Sequence, residues 1–112
     1  MFQKLRPLEG EELVLRDQGL LERMVSWSPG HLHLTTRRLV FAQGEKVTFE
    51  RYLENLENIE IIKRKCILSK IVPQLKIVSN GRANYIAIRK ADNWLREIYD
   101  LFIELDLNGI EK

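Results

Sequence analysis

Twelve residues, Gly30-His-Leu-His-Leu-Thr-Thr-Arg-Arg-Leu-Val-Phe41, constrain this chain more than any other stretch. Leu32 and Leu34 alternate with polar residues, as do Leu39 and Phe41, and Thr35 to Arg38 is a short polar reversal between the two runs. Side chains on a strand point to opposite faces in turn, so this spacing puts each apolar pair on one face of an antiparallel hairpin. A chain built around such a hairpin needs further strands or a helix to bury that face.

The rest of the sequence supplies them. Leu13–Leu15 and Leu20–Trp27 read as strand material separated by an Asp17-Gln18-Gly19 break, and Ser28-Pro29-Gly30 reads as a turn. Val47–Phe49 and Ile59–Lys65 follow as strands. Pro73 places the start of the next one at Gln74, because proline cannot donate to a ladder. Asn80-Gly81, both tolerant of positive φ, predicts a tight hairpin returning through Tyr85–Arg89. The period then changes. Trp94, Leu95, Ile98, Leu101, Phe102 and Leu105 fall on one stripe of a helix over residues 91–107, capped by Asp92 and ended by Asn108-Gly109. With no second long helix, this stripe must pack on the sheet. The expectation is one domain over 1–112: a lead-in at 1–10, strands at 11–89, and the helix. No internal repeat interrupts it.

At 112 residues, 45% apolar and 30% charged, the chain fits a globular domain. No apolar run approaches the ~20 residues of a membrane span, no secretory leader is evident, and Cys66 is the one cysteine. A cytoplasmic location, with membrane-peripheral association as an alternative, is the corresponding expectation. The net charge of +2 conceals a division. Residues 37–90 carry twelve Lys/Arg against five Glu, whereas residues 91–112 carry two against six Asp/Glu. A basic body followed by an acidic helix is compatible either with anionic partners on one side or with a solvated sheet face.

Catalytic patterns are weak. His31 and His33 are two apart and share a face. If Leu32 and Leu34 face the core, both histidines face solvent. Two such histidines fall short of the three or four ligands of a zinc site. Cys66 lacks a metal-type partner and reads as a small packed residue, and no glycine-rich loop leads a strand into a helix. Neither an enzyme nor a cofactor is expected. The better candidates are basic: Arg37, Arg38, Lys63, Arg64, Lys65 and Lys70 as contacts for an anionic ligand, with Arg38 also suited to pairing with a Glu across the sheet. Nucleic acid is disfavoured, because Tyr52 and Tyr85 lie apart from these clusters in sequence, leaving no interleaved stacking platform. Trp27, beside Ser28-Pro29-Gly30, is either an exposed interface aromatic or a packed one, and Trp94 belongs to the core.

The order of about seven short strands and one C-terminal amphipathic helix resembles the pleckstrin-homology-like superfold, a partly open antiparallel barrel of mainly β (α+β) class. Leu8-Glu-Gly-Glu-Glu-Leu-Val-Leu15 followed by Gly30–Phe41, then Leu56-Glu-Asn-Ile59, the Leu75–Ile88 hairpin and Asp92/Trp94, is similar to the GRAM-type branch of that superfold. The resemblance implies a non-catalytic binding module. It admits protein–protein interaction or self-association, and alternatively a peripheral membrane module binding anionic, phosphoinositide-like head groups. Arg23 is the single basic residue between Asp17 and Gly30. Lipid-binding members carry a basic signature in the early loops, so its absence here tilts the expectation toward a protein partner.

Overall fold

The computed structural model describes residues 8–24, 26–66 and 70–110, with side chains described to residue 104. The expected lead-in therefore lies mostly outside the described residues, and so does the side chain of Leu105. Seven strands are present: β1 (Leu13–Glu22), β2 (Trp27–Thr35), β3 (Arg38–Gln43), β4 (Lys46–Tyr52), β5 (Asn58–Lys65), β6 (Ile71–Ser79) and β7 (Arg82–Ile88). A 3-10 turn spans Leu53–Asn55, and the helix α1 spans Ala91–Ile110. All pair antiparallel in the order β4-β3-β2-β1-β7-β6-β5. The two ends of that order do not pair, so the sheet is a partly open barrel with one C-terminal helix.

The Gly30–Phe41 hairpin forms as its alternation predicts. Leu32 lies opposite Phe41 and Leu34 opposite Leu39, and all four are fully buried. The Thr35 hydroxyl holds the reversal by accepting the backbone N–H groups of Arg37 and Arg38 at 3.1 and 3.0 Å. The core joins these residues to Phe49, Leu53, Ile59, Leu75, Ile77, Ile86 and the helix stripe of Trp94, Ile98 and Leu101. Leu95 and Phe102 pack at its margin. Asn80 (φ 54°) and Gly81 (φ 73°) make the expected hairpin turn.

Three turn signals act differently from expectation. Asp17-Gln18-Gly19 does not interrupt β1, and Ser28-Pro29-Gly30 lies inside β2, so the β1–β2 reversal falls in the four residues after Glu22. Gly19 and Gly30 are paired across the ladder. They are glycine because of close approach. A Cβ on Gly19 would stand 2.9 Å from the Ala87 carbonyl oxygen, and one on Gly30 2.6 Å from that of Ala42 and from the Phe41 ring. Pro29 is tolerated because the β2–β3 ladder begins only at His31. β6 likewise begins at Ile71 and runs through Pro73, since the ladder with β7 begins at Gln74. At the helix, Asp92 sits within the first turn, where its charge suits the positive end of the dipole, and does not cap it. Asn108-Gly109 does not stop α1, which continues to Ile110. Low helix propensity costs little in a final turn.

Candidate binding surfaces: a cleft and a free strand edge

The basic residues singled out by sequence separate into two groups. Arg38 is buried, and its guanidinium grips the equally buried Glu11 carboxylate with Nε to Oε2 at 2.8 Å and Nη2 to Oε1 at 3.1 Å. Its Nη1 also donates to Glu50. The Thr35 hydroxyl donates to Glu11 at 2.5 Å, and the Leu8 N–H donates to it at 2.7 Å. Burial alone would raise the Glu11 pKa. The Arg38, Thr35 and Leu8 donors outweigh it and bring the carboxyl down to about 2. Arg38 is thus committed to the fold, which corrects its candidacy as a ligand contact and bears out the alternative of a pair with Glu.

Arg64 is also committed. It forms a forked pair with Glu22 at 2.8 and 3.2 Å, and its guanidinium carbon lies 3.9 Å from the centre of the Tyr85 ring. The expectation that Tyr85 stands apart from the basic clusters is therefore incorrect. Sequence distance hid a contact made across strands. Because β5 is pleated, Lys63 and Lys65 project from the face opposite Arg64 and are exposed. Lys70 and Arg37 are exposed as well. Arg37 precedes β3, at the end remote from the β3–β4 turn, so the structure does not bring it to Lys70. Trp27 is half-buried in β2, not displayed on a turn, and among the described residues of that hairpin Met24 is wholly exposed.

The histidines depart from expectation too. They share a face, but His33 is 1% exposed and His31 is half-buried. Alternation assigns a side, not what covers that side. Here the cross-strand neighbours Val40 and Ala42 are buried on the same face, Arg16 stands opposite His33, and the Glu11–Arg38–Glu50 cluster lies beside them. Burial, reinforced by the positive charge of Arg16, depresses the His33 pKa.

A cleft and a sheet edge are the candidates for partner binding. The first is a cleft of about 830 Å³ over the middle of β1 and β2 and the end of β7, reaching the β3–β4 turn and, beside β5 and β6, Cys66 and Lys70. Leu20, Pro29, Val72, Pro73, Ala87 and Ile88 give it an apolar lining, and Lys70, Arg89 and Lys90 stand at it as cations. Among the described residues, no carboxylate lines it. Cys66 and His31 also contribute. Sequence reasoning found Lys70 but missed Arg89 and Lys90, although a basic pair between the last strand and the helix was a usable signal.

The second is the edge of β5. The two-residue turn at Asn80-Gly81 makes Ser79–Arg82 the closing pair of the β6–β7 hairpin, so the odd-numbered residues of β6 bond to β7. Its even-numbered residues then bond to their even partners on β5. Ile59, Ile61, Lys63 and Lys65 consequently turn their backbone groups outward. The Ile59 carbonyl is taken by the Tyr99 hydroxyl, which donates at 3.0 Å. Beside this edge the helix exposes Tyr99 (45%) and Ile103 (57%), one turn apart. Among the described residues, no strand lies beyond β5.

No family model matches the chain, and no curated protein matches it. Among solved structures it is similar to the C-terminal domain of an unknown protein from Leishmania infantum. The match has a TM-score of 0.64 and 11% identity, over 84% of this chain and 87% of that one. At that identity the likeness concerns the fold alone, and it extends over nearly the whole of both chains.

Proposed function

We infer that this chain is a non-catalytic binding module of GRAM type that joins a protein partner, either another protein or a second copy, by accepting a strand at the β5 edge. The observation that carries the reading is the outward backbone of Ile61, Lys63 and Lys65 next to the exposed Tyr99–Ile103 stripe. A partner strand gains main-chain hydrogen bonds at such an edge, and contacts to neighbouring side chains give specificity. The cations of Lys63 and Lys65 favour a partner strand carrying acidic residues. The alternative, a basic face reading phosphoinositide-like head groups, has less support, because Arg38 and Arg64 are paired within the fold and Arg37 lies at another end.

The test is sedimentation velocity across a concentration series, together with capture of partners, comparing wild type with Lys63→Pro. The Lys63 N–H points away from β6, so proline there removes a donor from the edge and none from the sheet. The reading expects association in wild type that Lys63→Pro abolishes. A monomeric wild type whose captured partners are unchanged by Lys63→Pro contradicts it.

A further inference from the structure

The cleft is a different surface from the β5 edge, and its chemistry is specific in two respects. Its lining is apolar and its ionisable rim is cationic. The ladders run out at it: Pro29 and Gly30 lie past the β2–β3 pairing, Gln18 past the β1–β7 pairing and Ile88 past the β6–β7 pairing. The Pro29 carbonyl accepts a hydrogen bond from the Gln43 side-chain amide at 2.9 Å. A hydrocarbon chain needs no hydrogen-bond partner from such a lining. Leu20, Pro29, Val72 and Ala87 can cover it without penalty.

The rim selects the other end of the ligand. Lys70, Arg89 and Lys90 are all exposed, and the Arg89 guanidinium lies 3.5 Å from the Asp17 carboxylate. Asp17 is not among the cleft-lining residues. An anionic head placed at the rim meets Lys70, Lys90 and the Asp17-paired Arg89, and no carboxylate among the described lining residues. The volume of about 830 Å³ lies within the range of roughly 300–1,000 Å³ common for small-molecule clefts, large enough for one chain and its head.

The geometry points to this cleft as a binding site for a single acyl-chain anion, its hydrocarbon on the Leu20–Pro29–Val72–Ala87 surface and its carboxylate at Lys70 and Lys90. The site goes beyond the proposed protein interaction and stands or falls separately from it. Cys66, the one cysteine of the chain, lines the cleft and reports on its occupancy.

The experiment titrates the intact chain with decanoate and with decanol by calorimetry at low salt, and measures maleimide alkylation of Cys66 in parallel. Decanoate is expected to bind saturably at one molecule per chain and to slow the alkylation. Decanol is expected to bind about tenfold more weakly, because the rim attraction is lost. The double variant Lys70→Glu/Lys90→Glu should weaken decanoate by about tenfold or more and leave decanol unchanged. Lys63→Pro, which touches only the β5 edge, should leave both affinities as they are. Absence of saturable decanoate binding overturns the proposal, as does equal affinity for acid and alcohol. So does recruitment to phosphatidylglycerol vesicles that decanoate does not compete, which would make the cations a membrane-facing surface and not the rim of a site.

Discussion

The two halves of this sheet treat their charged residues in opposite ways. Across β1–β4, the outward face is closed over a polar cluster in which Arg38 is 6% exposed and Glu11 8%, with His33 buried beside them. Across β5–β7, the charges remain at the surface. Arg64 pairs with Glu22 while both stay about a third exposed, and Lys63, Lys65 and Lys70 extend into solvent. The β5 edge and the cleft's cationic rim belong to the second half. One side of the molecule holds a buried ion-paired cluster, and the other keeps its ion pair and its lysines at the surface. An arginine in sequence is therefore not a ligand contact until its cross-strand neighbours are known.

The sharpest way to break this contrast is to remove one arginine from each half. Arg38→Ala leaves the Glu11 carboxylate buried without its main partner and should cost about 3–5 kcal/mol in chemical denaturation. Arg64→Ala leaves Glu22 partly solvated and should cost about 1 kcal/mol or less. Equal costs would mean that the halves do not differ.

Acid titration probes the first half by a second route. The Glu11 carboxyl titrates near 2 in the folded chain against an ordinary value of 4.5. A depressed carboxylate stabilises above its unfolded pKa and loses that contribution as pH falls through its folded one. About 3 kcal/mol should therefore be lost between pH 4.5 and 2. Glu11→Gln should flatten that leg of the profile.

His33 adds a leg that begins at higher pH. Its pKa is depressed from 6.5 by burial, so the unfolded chain binds the proton more readily. Stability should begin to fall as pH drops below about 6.5. His33→Phe should remove this loss in the same denaturation series and leave the Glu11 leg intact.

Much of the fold was legible because it is written locally. Leu32, Leu34, Leu39 and Phe41 alternate, Asn80-Gly81 demands positive φ, and Trp94, Ile98 and Leu101 repeat at helical spacing. The misreadings share a cause. Pro29 and Pro73 look like strand breakers, yet each sits just past the end of a ladder, where no N–H is needed. Gly19 and Gly30 look like turn residues, yet they face each other where neighbouring atoms leave no room for a Cβ. Such facts depend on where neighbouring strands end. The candidate sites were harder still. Arg38 finds Glu11 across 27 positions and Arg64 finds Glu22 across 42, so no local pattern separates them from Lys63 or Lys70. The burial of His33 follows from what covers its face, which alternation does not encode.

The proposed function makes the β5 edge the side at which a partner strand joins. Residue-resolved amide hydrogen exchange tests it most directly, on the chain alone and under the conditions where association is seen. The account predicts fast exchange at Ile61, Lys63 and Lys65 in the dilute chain, slow exchange at Glu60, Ile62 and Arg64, and protection spreading to the odd positions on association. Fast exchange at the odd positions that persists in the associated state would contradict it.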